Sequence, residues 1–248
     1  SLYNVHLKYL IMKKRFNLRY LVSLLLVAAI MPACTKTYER RAKEAIDTII
    51  DTTKAVGLAV AVVKEGKIVY SATFGKKNIE QGTLITQDDI FRIASISKSF
   101  TTTALMTLVE KESVALDMDV SDLVGFKVRN PLFPDVVITV KMLLSHTSSL
   151  NDTQGYFKLD VLNPDTNPDF AKCYNTYEPG TKYEYCNLGF NTIGAIVEKF
   201  SGTRFDNYVK EVLLKPMRLE AGFNPDSLDN QKYVTLYSFE PADTLPGS

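Results

Sequence analysis

A β-hairpin pattern followed by a long helical region most strongly restricts how this chain can fold. Two short, largely apolar stretches, 56–63 and 68–75, are separated by a polar turn at 64–67 that contains a glycine. An amphipathic pattern over 38–54 precedes them and predicts a helix. Two strands alone are only marginally stable, so we expect further strands to pair with this hairpin.

From residue 88 onward the pattern changes to helices and loops. Apolar residues recur at every third or fourth position after Ser95, which predicts a helix that continues to about Lys111. The polar connection over 151–180 is long, and connections of that length are usually functional or disordered. Further helices are predicted at 187–200 (stopped near Gly202), at 205–214 (ended by Pro216) and after the capping residue Thr139.

Length and composition fit an ordinary globular protein. With 248 residues, of which 46% are hydrophobic and 23% charged, the chain can hold one large or two small domains with a real core. The formal net charge is +1, and removal of residues 1–33 would make it weakly negative because that segment is basic. The remainder has no Lys/Arg-rich patch, which argues against a nucleic-acid surface.

The first 33 residues have the pattern of a targeting segment. Basic residues after Met12, the expected start, precede an apolar run over 21–31 that is short for a membrane span, as in a secretory signal peptide. The sequence Met31-Pro32-Ala33-Cys34 resembles the lipobox of bacterial lipoproteins. That resemblance implies acylation of Cys34 and a lipid anchor at the bacterial cell envelope, facing the periplasm or exterior. The alternative is an ordinary secretory signal with an incidental cysteine.

Three cysteines and two histidines limit the redox and metal chemistry of the chain. If Cys34 is lipidated, Cys173 and Cys186 remain as an even pair in an oxidising compartment. A disulfide between them and two buried apolar thiols are both compatible with the sequence. The histidines stand only at positions 6 and 146, so we expect neither a metal site nor another cofactor.

The segment Ser95-Ile96-Ser97-Lys98 places a serine and a lysine three residues apart at the start of a predicted helix. Residues with this spacing lie on one helix face, so the Ser95 hydroxyl and the Lys98 amine would meet. A nucleophilic serine needs a nearby base or cation, and the helix N-terminus adds a positive partial charge. Such pairs also occur by chance on solvated helices, so the motif needs supporting residues.

A second cluster, Tyr185-Cys186-Asn187, stands just before another predicted helix. In this order the two segments resemble the first two motifs of the penicillin-recognising serine hydrolases. They are most similar to the branch of class C β-lactamases and D-alanyl-D-alanine carboxypeptidases, whose second motif is Tyr-x-Asn. The segment LLSHTSSL at 143–150 resembles that branch's Leu-Leu-Ser-His-Thr-Ser-Gly-Leu, and the likeness runs from about Ile46 to the end of the chain.

The resemblance implies an α+β fold of the β-lactamase/transpeptidase type, in which helices flank an antiparallel sheet and an all-helical subdomain is attached. Residues 34–248 would form this domain, with about 38–87 as its α/β layer and about 88–248 as its helical subdomain. The family's third motif, Lys-Thr-Gly or His-x-Gly, is not found after Asn187. We therefore expect a truncated sequence from which the C-terminal strands are missing.

The resemblance also implies roles for individual residues. Ser95 would attack the substrate carbonyl and form an acyl-serine intermediate, with its own backbone N–H as one oxyanion donor. Tyr185 would be the general base, since a phenol beside the Lys98 ammonium ionises more readily. Asn187 would donate to the acyl side-chain carbonyl of the substrate and help to hold Lys98. β-Lactams, D-alanyl peptides of peptidoglycan and simple esters share this step, so the substrate stays open.

Several alternatives accompany this interpretation. The same fold would also suit a non-catalytic cell-wall-binding or penicillin-binding sensor lipoprotein. His146 suggests a Ser/His/Asp triad, but the resemblance places it in a structural turn. Tyr183 competes with Tyr185 for the role of base, and the spacing to Asn187 favours Tyr185. Cys186 departs from the serine or alanine that is usual at the middle position of the second motif.

Overall fold

The computed structural model describes Tyr38 and residues 40–238. The predicted signal segment and the acylation site at Cys34 lie outside the described residues. Within the described part of the chain, no helix combines the length and the apolar character needed to cross a bilayer.

The described chain divides into two compact units, one formed by 40–89 together with 233–238 and the other by 90–232. The sequence predicts a helical subdomain that continues to the end of the chain, whereas the structure groups the last described residues with the first unit. The Oη atom of Tyr237 accepts a hydrogen bond from Ile79 N at 2.8 Å, which ties these residues to the β-sheet region.

The first unit contains a helix and a three-stranded antiparallel sheet, as the sequence pattern predicts for the helix and the hairpin. The turn between the first two strands places Glu65 and Gly66 at positive φ, 52° and 71°, and such turns match the twist of a hairpin. The second strand is longer than predicted because its C-terminal end also pairs with a third strand. The elements are α1 (40–53), β1 (Gly57–Lys64), β2 (Lys67–Asn78) and β3 (Thr83–Leu84), in the sheet order β1-β2-β3.

The second unit is helical. One 3-10 turn, Ala94–Ile96, leads directly into the first of its helices, and the last helix continues through Lys210–Leu214 as a wider π turn that ends before Pro216. The helices are α2 (Ser97–Glu110), α3 (Val120–Val124), α4 (Val140–Leu144), α5 (Asn187–Ser201) and α6 (Phe205–Val209).

Side chains and a glycine define the ends of two of these helices. The Thr139 hydroxyl accepts a hydrogen bond from Met142 N at 3.4 Å, so the predicted cap of α4 is confirmed. Gly202 has a φ of 65° directly after α5, in the left-handed region that glycine adopts without a steric penalty. The predicted end of α5 is therefore confirmed as well.

The core of the second unit fixes the helix N-termini that matter for function. Helix α2 packs against α5, and α4 packs against α5 as well. Burial of each large aliphatic side chain in such a core contributes roughly 1.5–3 kcal/mol relative to an exposed one. The N-terminal turns of α2 and α5 are thereby held in place. The fully buried side chains of α2, α4 and α5 include Leu105, Leu143, Leu188, Ile193 and Ile196.

The long connection between α4 and α5 is ordered by hydrogen bonds at its two ends. Thr147 O accepts from Gly180 N at 2.7 Å, and Ser149 O accepts from Asn175 N at 2.7 Å. The buried Asn130 side chain adds a bond from its Nδ2 atom to Ser149 Oγ at 2.6 Å. The residues just before α5 therefore lie directly against the turn that follows α4. Two 3-10 turns, Leu159–Leu162 and Phe170–Cys173, lie within this connection.

Candidate active site

Ser95 lies in the 3-10 turn that leads into α2, and Lys98 lies in the first turn of α2 itself. The Nζ atom of Lys98 donates to Ser95 Oγ at 3.2 Å, which confirms that the two side chains face each other. Ser95 is exposed, so its hydroxyl is accessible from solvent. The preceding Ala94 has a φ of 44°, a conformation that is uncommon for a residue other than glycine and is concentrated at functional sites.

Tyr185 contacts the same hydroxyl group. Its Oη atom donates to Ser95 Oγ at 2.6 Å, although the two residues are far apart in the sequence. Tyr183, the competing tyrosine, is 67% exposed and makes an edge contact with His146 at a ring-centroid distance of 5.7 Å. The structure thus places Tyr185 against Ser95 and brings a cation and a phenol to one serine oxygen.

The electrostatic environment favours ionisation of the Tyr185 phenol. The hydrogen-bonding contact with the Lys98 side chain has the largest effect on this phenol and the hydrogen bond with Ser95 the next largest, and both lower its pKa below the ordinary value of 10.0. The Nζ atom of Lys98 lies 4.8 Å from the centroid of the Tyr185 ring and 5.6 Å from that of Phe190. Lowering the pKa of a phenol increases the fraction present near neutral pH as phenolate, the form that can accept a proton.

His146 supports the backbone around Tyr185. Its carbonyl oxygen accepts from Glu184 N at 2.8 Å, and its Nδ1 atom accepts from Cys186 N at 3.1 Å. The imidazole packs against the Tyr185 ring at a centroid distance of 4.6 Å. Burial, with the nearby Lys98 charge, lowers the pKa of His146, so its ring is neutral at physiological pH. Through these contacts His146 supports the segment that carries Tyr185. Among the hydrogen bonds of the described residues, none joins His146 to the Ser95 hydroxyl.

Asn187 joins Lys98 to a residue that the sequence patterns did not identify. Lys98 Nζ donates to Asn187 Oδ1 at 2.7 Å, and Asn187 Nδ2 donates to Asp152 Oδ2 at 2.8 Å. The Asp152 carboxylate also accepts from the backbone N–H groups of Asn187 and Leu188, at 3.0 and 2.9 Å. Burial acts to raise the pKa of Asp152, but these hydrogen bonds outweigh burial and lower it. The only signal in the sequence was an acidic residue two positions after the LLSHTSSL segment.

The two described cysteines are free, buried thiols, so of the two alternatives left open by the sequence the structure contains the unpaired form. The Cys186 sulfur accepts from Gly189 N at 3.4 Å at the start of α5 and lies 3.3 Å from Asp152 Oδ1, to which it donates. Burial raises the pKa of Cys173 to about 11 and that of Cys186 to about 12. Among the described residues, no group of three or more His, Cys, Asp or Glu side chains is arranged to hold a metal ion.

We expect Cys173 and Cys186 to resist alkylation in the folded protein, because the reactive thiolate is scarce when burial raises the pKa. Iodoacetamide at pH 8 should modify both residues only after unfolding, without any reducing agent, and intact-mass spectrometry would count the additions. Protein that takes up iodoacetamide at these positions only after reduction would contain a disulfide and contradict the free-thiol arrangement.

The geometry supplies several components of acyl transfer to serine. The Tyr185 phenol, whose pKa is lowered, and the Lys98 ammonium both contact the Ser95 hydroxyl, and the Asn187 side-chain amide accepts a second hydrogen bond from Lys98. All four residues predicted from the sequence, Ser95, Lys98, Tyr185 and Asn187, lie in this one cluster. Their catalytic and substrate-binding roles stay predictions.

Comparisons with known proteins identify a matching family and similar structures. The family described as Beta-lactamase matches residues 42–247. Penicillin-binding protein 4 of Amycolatopsis lactamdurans is 30% identical over 183 residues, which cover 71% of this chain and 47% of that protein. The structure of the octameric penicillin-binding protein homologue from Pyrococcus abyssi matches with a TM-score of 0.67 and 26% identity, covering 78% of this chain and 46% of the other.

A second solved structure shares the fold. EstCE1, a hydrolase with promiscuous acyltransferase activity, matches with a TM-score of 0.70 and 23% identity over 84% of this chain and 58% of its own. The α+β fold with an antiparallel sheet and helices is therefore shown for this chain. The chain spans 34–47% of the length of the curated relatives it matches and 40–60% of the length of the similar solved chains.

Proposed function

This chain belongs to the β-lactamase family, and on that basis we propose that it is a serine hydrolase that forms an acyl intermediate on Ser95. The observation that carries the proposal is the convergence of two groups on one oxygen. Lys98 Nζ lies 3.2 Å and Tyr185 Oη 2.6 Å from Ser95 Oγ. Convergence of this kind on an exposed serine hydroxyl is the signature of an activated nucleophile.

In the proposed reaction Tyr185, as phenolate, removes the proton of Ser95 while Oγ bonds to the substrate carbonyl carbon. The bond to the leaving group then breaks, and Tyr185 returns the proton to that group. Water releases the acyl group from Ser95 in a second step. Lys98 stabilises the phenolate by its charge, and the second N–H of the Asn187 side chain is available to a substrate carbonyl.

The substrates that fit this chemistry are β-lactams, D-alanyl peptides of peptidoglycan and simple esters. The relatives whose names include penicillin-binding protein support a cell-wall or β-lactam substrate. We further propose that the protein acts at the bacterial cell envelope, attached through a lipid at Cys34 and facing the periplasm or exterior. The lipobox-like sequence at 31–34 supports this location.

The proposal is tested by mixing the purified protein with a fluorescent penicillin, a D-alanyl-D-alanine peptide and a p-nitrophenyl ester in separate stopped-flow reactions. We expect a burst of about one equivalent per chain with at least one compound, followed by steady turnover, as for an acyl-enzyme that hydrolyses. A burst without turnover would support the penicillin-binding sensor instead. Neither a burst nor turnover with any of the three compounds would contradict the proposed hydrolase.

A further inference from the structure

The Asp152 carboxylate lies at the N-terminus of α5, where it accepts hydrogen bonds from both backbone and side chain. Its Oδ1 atom accepts from Leu188 N at 2.9 Å, and its Oδ2 atom accepts from Asn187 N at 3.0 Å. The first N–H groups of a helix have no partner within the helix, and the helix dipole favours an anion there. Asp152 therefore has a fixed position and is ionised at neutral pH.

The side-chain amide of Asn187 lies between two groups of opposite hydrogen-bonding character. The ammonium of Lys98 can only donate, and an ionised carboxylate can only accept. Asn187 accordingly presents Oδ1 to Lys98 at 2.7 Å and Nδ2 to Asp152 at 2.8 Å. The reversed amide would place two donors together at Lys98 and two acceptors together at Asp152. Ionised Asp152 thus selects one of the two amide orientations.

The orientation of the Asn187 amide determines where the Lys98 ammonium lies relative to the Ser95 hydroxyl. Because Oδ1 of Asn187 faces Lys98, it holds the ammonium where Nζ also contacts Ser95 Oγ, at 3.2 Å. If the amide were reversed, the Lys98 ammonium would lose Asn187 Oδ1 as its acceptor and would be repelled by the amide NH2 group. A shift of about 1 Å in a positioning group can slow a reaction by about 10²-fold.

We infer that Asp152 is a positioning residue for acylation of Ser95, and that it acts through the amide of Asn187 on the ammonium of Lys98. The inference rests on the proposed function, because it concerns the rate at which Ser95 is acylated. Asp152 itself has no hydrogen bond to Ser95 or Tyr185 among the contacts of the described residues. The Asp152 charge also acts directly on Tyr185, where it raises the pKa of the phenol. Loss of that charge would favour ionisation of Tyr185, so a slower reaction in a charge-free variant is assigned to the orientation of the Asn187 amide.

The test is the substitution Asp152→Asn, which keeps the size of the side chain and removes its charge and one acceptor. We expect the rate constant for modification of Ser95, either phosphonylation by a fluorophosphonate or acylation by a fluorescent penicillin, to fall about 10- to 100-fold. In an Asn187→Ala background the same substitution should slow acylation less than about twofold, because no amide remains to be oriented. A merely structural role would slow acylation by the same factor in both backgrounds.

Asp119→Asn is the matched control. Like Asp152, Asp119 accepts a backbone hydrogen bond at the N-terminus of a helix, from Ser121 N at 2.8 Å, but it pairs with Arg129 and not with the Ser95 cluster. This variant should lose stability, as measured by thermal unfolding, but acylate at the parent rate once corrected for the folded fraction. An equal loss of rate in Asp119→Asn and Asp152→Asn would overturn the inference.

The outcomes separate this inference from the proposed function. If the parent is acylated on Ser95 and Asp152→Asn matches its rate, only the positioning role is wrong. If the parent is not acylated at all, the proposed function fails and the inference fails with it. Should Asp152→Asn not fold, NMR of the parent replaces it: the side-chain amide signals of Asn187 should shift as Asp152 is protonated in acid. Amide signals of Asn187 that stay unchanged through that titration would overturn the inference.

Discussion

Replacing Ser95 with alanine should reduce covalent labelling by a fluorescent penicillin or a fluorophosphonate to background. Any turnover should fall by at least about 10³-fold, because removal of a nucleophile leaves only residual transition-state binding. Lys98 Nζ and Tyr185 Oη both contact the Ser95 oxygen, so its removal takes away the nucleophile on which these two groups act. In-gel fluorescence measures the labelling, and initial rates measure the turnover.

Ser99→Ala is the matched control for this substitution. Ser99 is an exposed serine of α2, and its hydroxyl donates to Ile96 O at 2.7 Å instead of contacting the Tyr185 phenol. This variant should be labelled and turn over substrate like the parent. Labelling of Ser95→Ala at the parent level would mean that another residue carries the acyl group.

Tyr185→Phe should lower the rate of Ser95 acylation by about 10²- to 10⁴-fold, the usual contribution of a general base. The phenylalanine ring keeps the packing against His146, so folding should be little affected. In the parent, the rate should rise with pH as Tyr185 loses its proton, and fall away as pH drops through that pKa. Because Lys98 and Ser95 lower the pKa, this rise should be centred below 10.0. Stopped-flow acylation from pH 6 to pH 10 measures both effects.

Tyr183→Phe provides the comparison, since Tyr183 stands two residues away and its side chain is 67% exposed. It should acylate at the parent rate with the parent pH profile. An unchanged rate and pH profile in Tyr185→Phe would remove Tyr185 from the role of base.

Local patterns predicted the elements that depend on neighbouring residues. The apolar stretches and the turn residues over 56–75 predicted the hairpin, and Thr139 and Gly202 correctly marked helix ends, because caps and turns are short-range features. The meeting of Ser95 with Lys98 followed from their three-residue spacing. The spacing did not predict the local backbone, because Ser95 belongs to a 3-10 turn that precedes the α-helix. The turn begins at Ala94, whose positive φ could not be predicted because an alanine gives no signal for it.

Contacts between distant parts of the chain were harder to predict. The contact between Tyr185 and Ser95 could be predicted only from the resemblance to a family, because local sequence patterns carry no information on contacts between such distant residues. Asp152 was missed since its role depends on the fold bringing a loop to the N-terminus of α5. The state of Cys173 and Cys186 stayed open for the same reason, as a disulfide requires a geometry that spacing does not specify.

In the proposed reaction one hydroxyl, that of Ser95, forms the covalent intermediate. Tandem mass spectrometry of the tryptic peptide 93–98, after reaction with a fluorophosphonate or a β-lactam, identifies the modified residue. This peptide contains two serines, Ser95 and Ser97, which fragment ions distinguish. We expect one adduct per chain, located on Ser95. An adduct on Ser97 or on any other residue, or no adduct with either reagent, would contradict this expectation.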